Sequence, residues 1–347
     1  MLIAIRWSNN RRAFMTTSNP QSQSPNPQSP YPQQDGVLVI DKPEGLTSHD
    51  VVARVRKILG TRRVGHAGTL DPFATGVLVV CVNRATRLVQ FLTGDDKEYV
   101  ATMRLGFATD TGDLTGTPKT SVTDAGNITS DNVIEAFSRF LGPIKQIPPM
   151  YSAKKVGGVK LYEMARRGEE IERAPIVVEI KKLELLNPNA LFGQGQADSQ
   201  TAPGEFSFRV ACSSGTYIRT LAEEIGALLG VGAHLTRLRR IRSGNCSLDG
   251  AVTLEELADL ARSGPERRIM IPMADTIMMP ALQVSDEERN RISHGRSIAR
   301  PAPPEGCRAD YANGALVKLC DKKNQLIAIA EFDSSETLWR PRVVLTD

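Results

Sequence analysis

Residues 65–80 read GHAGTLDPFATGVLVV. A glycine-rich turn (Gly65, Gly68), a lone carboxylate (Asp71) and an apolar run from Gly76 follow one another without a break. Asp71 precedes Pro72, which biases its backbone toward an extended rather than a helical conformation. The run GVLVVCV (76–82) reads as a buried strand. A rigid loop at the edge of a strand suits a reactive group. An Asp-Pro pair is equally a common turn former, so both readings of Asp71 stand at this point.

Working outward, GVLVI (36–40) is a second buried strand by composition, and Pro43 and Gly45 then turn the chain. Thr47 or Ser48 can cap a helix that carries Val51, Val52, Val55, Ile58 and Leu59 at helical spacing and stops at Gly60. Tyr99, Ala101, Met103 and Leu105 alternate along a strand, as do Phe206, Phe208, Val210 and Cys212. Ser130 opens a helix with Val133, Ile134, Phe137, Phe140 and Leu141 on one face. Ile218, Leu221, Ile225, Leu228 and Leu229 mark another, closed by Gly230, and Thr253 with Glu256 forms a capping box for a third. From about Met278 the texture changes to short strands near 316–319, 326–331 and 343, after a capped helix that starts at Ser285 and Glu288. Helices and strands interleave without a steady βαβ rhythm. The expected fold class is α+β: a mixed, largely antiparallel central sheet flanked by helices, plus a small C-terminal β-barrel module.

The chain has 347 residues, 41% apolar and 24% charged, which is ordinary for a globular protein of about two domains. No stretch reaches the roughly 20 apolar residues of a membrane helix. Five scattered cysteines (Cys81, Cys212, Cys246, Cys307, Cys320) without a C-x-x-C, together with four histidines, give no support for a zinc site and read as reduced thiols. From Thr17 to Gln34, 14 of 18 residues are Pro, Gln or Ser, so 1–35 is expected to be a disordered extension. Its acid-free, Arg-bearing start resembles a transit peptide only weakly, and a start codon placed too early explains it as well. The expected place is the cytoplasm, with an organelle address as the open alternative. Net charge is only +4, but the basic residues cluster at Arg54–Arg63, at Lys154–Arg167 and at Arg237–Arg242. Such clusters are either solvated faces or the footprint of a nucleic acid.

The segments GVLVIDKPEGLTSHDVV, RRVGHAGTLDPFATGVLVV, DKEYVATMRLGFATDTGD, IPPMYSAKKVGGVKLYEMAR and SSGTYIRTLAEEIG, in this order, resemble the bacterial tRNA pseudouridine-55 synthase family. The likeness runs from about Gly36 to the C-terminus. It implies an isomerase that detaches one uridine base in the T loop of tRNA, reorients it and rejoins it through carbon 5, using no cofactor and no metal. Asp71 stands at the family's essential aspartate, chemically reasonable because carboxylates act as nucleophiles at anomeric carbons. Attack at the ribose and attack at the pyrimidine both remain open. Arg219 matches the active-site arginine, suited to a bidentate pair with Asp71; read alone, it sits on the exposed side of a helix. Tyr99 matches the active-site tyrosine, able to stack on the base or move a proton; read alone, it is a core strand tyrosine. Tyr217 matches a pocket tyrosine, Lys42 a lysine at the pocket rim, and His66 the histidine placed against RNA where the extruded base was. Phosphate contacts are expected from Lys154 in the basic Tyr151–Arg167 insertion and from Arg237 and Arg240.

The resulting division is 1–35 extension, 36–276 catalytic domain and 277–347 PUA-like RNA-binding domain. The expected partner is the tRNA T stem-loop, with no membrane and no obligate protein partner. Two other functions compete. One is a non-catalytic RNA-binding or tRNA-folding protein of the same fold, which has no need of Asp71, Tyr99 and Arg219 together. The other is a nucleosidase, which usually needs a second acid, and the Asp71 motif holds none.

Overall fold

A computed structural model describes residues 34–152, 154–186, 204–263, 270–299 and 312–346. Most of the extension and most of the 187–204 loop therefore lie outside the described residues.

The chain runs β1 (Gly36–Lys42), α1 (Ser48–Leu59), β2 (Val64–Ala67), β3 (Thr75–Val82), α2 (Val89–Leu92), β4 (Lys97–Leu105), α3 (Ser130–Ser138) and β5 (Gly142–Gln146). A small hairpin, β6 (Lys155–Val156) and β7 (Val159–Lys160), leads into α4 (Leu161–Ala165). Then come β8 (Ile176–Leu186), β9 (Glu205–Cys212), α5 (Ile218–Leu228), β10 (Ala233–Ser243), β11 (Cys246–Ser247), α6 (Leu254–Arg262) and α7 (Met273–Thr276). The last part holds β12 (Ala281–Gln283), α8 (Asp286–Ser293), β13 (Ile298–Ala299), β14 (Leu316–Cys320), β15 (Leu326–Asp333) and β16 (Leu338–Val344).

The central sheet has the order β1-β3-β10-β4-β9-β8-β5, with β2 added on β3 and β11 on β10. Only β3 and β10 pair in parallel, so the sheet is largely antiparallel. A second, five-stranded sheet of order β12-β14-β15-β16-β13 curls as a half-barrel. The α+β expectation holds.

Burial explains the two kinds of strand seen in the sequence. One face of the central sheet packs under α1, α3, α5 and α6, with Leu38, Leu78, Tyr99, Phe208 and Leu238 in that core. The other face of β1 and β3 packs against the C-terminal sheet through Val37, Val39, Val79, Cys81, Leu326 and Ile329. Strands covered on both sides need apolar residues at every position, hence the unbroken runs. β9, covered on one side, shows strict alternation of buried and half-buried residues.

Thr47, not Ser48, caps α1 in a reciprocal capping box with Asp50, and Gly60 ends the helix in the left-handed conformation. α3 opens at Ser130 as expected, with Thr129 as its cap. Ile134 and Leu141 are about half exposed, so the apolar face expected there is narrower, made by Val133, Ala136 and Phe137. Among the described residues the thiols of Cys81, Cys212, Cys246 and Cys320 are free and buried, and no helix is long and apolar enough to cross a membrane.

Candidate active site

Asp71 is carried by the loop between β2 and β3, and three separate groups fix that loop. Gly68 turns it at φ 82°. The turn expected at Asp71-Pro72 is present, with Ala74 N donating to Asp71 O at 3.1 Å. The buried Ser48 hydroxyl, at the first position of α1, accepts from Leu70 N at 2.9 Å and donates to Leu70 O at 3.2 Å. Lys42, at the end of β1, donates from Nζ to Pro43 O, Leu46 O and Pro72 O at 2.9, 2.7 and 3.2 Å. Arg240 of β10 donates from Nη2 to Gly68 O at 3.0 Å and from Nε to Val77 O at 2.6 Å. β10 crosses so close to β3 here that a Cβ on Gly76 would lie 2.2 Å from Arg240 O; glycine is required.

Arg219 meets Asp71 side-on. Nε donates to Oδ2 at 2.8 Å and Nη2 to Oδ1 at 3.2 Å. The other guanidinium protons reach main-chain carbonyls, Thr111 O at 2.6 Å and Tyr151 O at 2.7 Å. The Arg219 side chain is 5% exposed and that of Asp71 34%, so the carboxylate opens to solvent while its partner is enclosed. Arg219 thus lies on the inward side of α5, not the outward one. The start of α5 is set by Gln146, wholly buried at the end of β5. Its amide accepts from Tyr217 N at 3.0 Å and donates to Tyr217 O at 3.3 Å.

A second carboxylate, missed in the sequence, lies behind the pair. Asp113 Oδ2 is 3.9 Å from Arg219 Nε, and its Oδ1 accepts from the Thr111 hydroxyl and from the amide and hydroxyl of Thr115. The stretch DTGD that carries it ends one of the family-like segments, yet Asp and Thr beside Gly read first as a turn.

Two cavities share the wall formed by Asp71 and Arg219. One, of about 250 Å³, is lined by Asp71, Lys97, Tyr99, Tyr217, Leu238 and Arg240, among others. The other, of about 540 Å³, is lined by His49, Phe73, Thr111, Asp113, Tyr151, Tyr162 and Arg166, among others. Tyr99 and Tyr217 therefore face the cleft, and burial raises both phenols above the usual range.

His66 lies on β2, its ring edge-on to His49 at 5.2 Å. Burial lowers it to about 4, so it is neutral near pH 7, and its Nδ1 has no partner among the described residues. Lys154 precedes the β6–β7 hairpin and accepts from Leu161 N through its carbonyl; of its neighbours, Tyr162 and Arg166 reach the larger cavity.

Two expectations need correction. Lys42 is not at the rim; it is fully buried, and desolvation lowers its ammonium to about 8. The Arg237–Arg242 cluster is not one patch either, because it lies on a strand and alternates between faces. Arg240 pairs in register with Tyr99, and Leu238 with Ala101, so these face the helix-covered side and the cleft. Arg237 and Arg239 pair with Thr102 and Val100 on the opposite face. There Arg239 forms a bidentate pair with Asp41, and Arg242 pairs with Glu98. Arg237 is thus turned away from the cleft, while Arg240 faces it but is only 1% exposed.

Residues 56–218 match the sequence profile described as TruB family pseudouridylate synthase (N terminal domain), and 219–280 that of the tRNA pseudouridylate synthase B C-terminal domain. A tRNA pseudouridine synthase B of Symbiobacterium thermophilum is 48% identical over 262 residues, 75% of this chain and 82% of that protein. One from Bacillus pumilus is 39% identical over 314 residues, 90% and 98% of the two. Among solved structures, a crystal structure of a Cbf5-Nop10-Gar1 complex is similar over 95% of this chain and 91% of that one, with TM-score 0.68 and 28% identity.

Proposed function

Because the chain belongs to the TruB family of pseudouridylate synthases, whose relatives isomerise uridine to pseudouridine in tRNA, we propose that it modifies uridine 55 of the T loop with Asp71 as the covalent nucleophile. The observation that carries this reading is the side-on pair of Asp71 with an enclosed Arg219, at the wall of a cavity of about 250 Å³ that also holds Tyr99. A cavity of that size takes one base, not a duplex. The target must leave its stack to enter, a cost of a few kcal/mol that phosphate contacts offset.

Arg219 holds both carboxylate oxygens, which fixes the angle from which one of them meets the anomeric carbon. As the Asp71 Oδ–C1′ bond forms, the N1–C1′ bond breaks and its electron pair leaves with the base. The base turns until C5 faces C1′. The C5–C1′ bond then forms, Asp71 is released, C5 loses its proton and N1 gains one. The Tyr99 ring stacks on the base and its hydroxyl is placed to move a proton. Nothing is added or removed overall, so the residues suffice without a cofactor.

Tyr151–Arg167 supplies phosphate contacts near the cleft, through Lys154 and Arg166. The five-stranded sheet serves as the PUA-like module that touches tRNA farther away. The test is tritium release from tRNA labelled at uridine C5. Wild type should release one tritium per tRNA and leave no free uracil, and Asp71→Asn should release none. Equal release by the two would leave only binding, and free uracil would mean a nucleosidase.

A further inference from the structure

The floor of the 250 Å³ cavity holds two positive charges, Lys97 and Arg240, and among the described residues no carboxylate is paired to either. Arg240, 1% exposed, donates to Val77 O and to Gly68 O. Lys97, 5% exposed, donates from Nζ to Thr93 O and Asp95 O. All four acceptors are main-chain carbonyls, and all are neutral. The carboxylates facing Lys97 are those of Asp95 and Asp96, neither within ion-pairing distance; Arg240 and the Cys212 thiol complete its charged and titratable surroundings. Asp71, in the same cavity, is already held by Arg219. Burying one uncompensated charge is strongly unfavourable, and two side by side also repel each other. A fold keeps such a pair where a ligand brings the missing negative charge.

We infer that Lys97 and Arg240 receive the negative charge that the uracil ring acquires when its bond to ribose breaks. This rests on the reading above, in which Asp71 adds to the ribose. The N1–C1′ electron pair then spreads over N1, O2 and O4 of the base, and it returns to bonding when C5 joins C1′. The charge is absent in the bound uridine and present as the bond breaks. Two fixed cations therefore bind the transition state more strongly than the substrate, which is what lowers a barrier. Burial first and Arg240 second lower the Lys97 ammonium to about 8, so it is still mostly charged at pH 7.

The test is single-turnover conversion of tRNA by Lys97→Met and Lys97→Arg, with tRNA affinity measured beside it. At pH 7 Lys97→Met should be slower by about 10²-fold, the usual loss for one charge-stabilising donor. Its tRNA affinity should stay within about twofold, and Lys97→Arg should recover most of the rate. The ratio of wild-type to Lys97→Met rates should shrink as pH passes about 8, where Lys97 of the free wild type loses its own proton. A wild-type rate in Lys97→Met overturns the inference. So does a deficit of equal size at pH 6.5 and pH 9, the mark of a packing defect. Should Lys97→Met not fold, Lys97→Gln takes its place, with the same loss expected at pH 7, the same affinity and the same narrowing of the deficit above pH 8. Asp71→Asn separates the two claims. Turnover by Asp71→Asn removes the reading of the site, whereas an inert Asp71→Asn beside an unaffected Lys97→Met removes only this inference.

Discussion

Arg219→Lys keeps the charge and discards the geometry. The guanidinium makes four donor contacts: two to Asp71, one to Thr111 O and one to Tyr151 O. An ammonium can sit against one Asp71 oxygen and cannot span both. One charge-assisted bond is lost from the Asp71 carboxylate, about 1.5–3 kcal/mol, and that carboxylate regains rotation about its Cβ–Cγ bond. Together these weaken the transition state by roughly 2–4 kcal/mol, or about 30- to 1,000-fold in rate. The two carbonyls left without a donor are only partly enclosed, so the fold should lose about 1–2 kcal/mol and still form. The assay is tritium release under single turnover with enzyme in excess, so that weaker tRNA binding does not enter the rate. A rate within about threefold of wild type, from a variant shown to be folded, would refute the claim that side-on pairing orients Asp71.

Other perturbations test other parts of the site. Gln146→Met removes both contacts to the Tyr217 backbone; thermal denaturation should show a loss of about 1–3 kcal/mol, with kcat falling and KM little changed. Lys42 is lowered from 10.5 to about 8, so between those pH values the unfolded chain binds the extra proton and the Lys42 contribution rises with pH. The stability of wild type minus that of Lys42→Met should therefore climb by up to about 1.4 kcal/mol per pH unit from pH 8 to 10; a flat difference in calorimetry would contradict the burial. His66 stays neutral down to about 4, so the acid limb of kcat/KM should be the same in wild type and His66→Gln between pH 5 and 7. Arg166→Ala should raise KM, leave kcat unchanged and reduce the salt slope of tRNA binding by about 1, whereas Arg237→Ala, on the face away from the cleft, should change neither constant.

The elements that carry or flank Asp71, Tyr99 and Arg219 were legible because each follows a local pattern: an apolar run after the Asp71 loop, an alternation, and a helix with apolar residues at helical spacing. What escaped is set by contacts distant in sequence. Lys97, in DDKE, has nothing in its neighbours that singles it out, and Lys42, in DKPE, is expected only at the pocket rim. They are buried because carbonyls of neighbouring turns happen to converge on their ammonium groups, a fact of tertiary geometry. The Arg237–Arg242 cluster looked like one surface because charge counting ignores the two-residue period of a strand. Its bulges, between Leu235 and Arg237 and between Arg240 and Arg242, further hide which residues share a side. Asp113 was visible as a letter but not as a neighbour of Arg219, to which only folding brings it.

Arg219 reads the path of two loops rather than their side chains, because it grips them by the oxygens of Thr111 and Tyr151. Any residue has such an oxygen. Evolution is therefore free to vary the identity of positions 111 and 151 as far as this grip is concerned, but not the number of residues that leads to them. Losing a single residue between Gln146 and Tyr151 would pull the oxygen out of reach while leaving most of the composition intact. Drift in loop length, more than drift in loop chemistry, is what this buried arginine forbids.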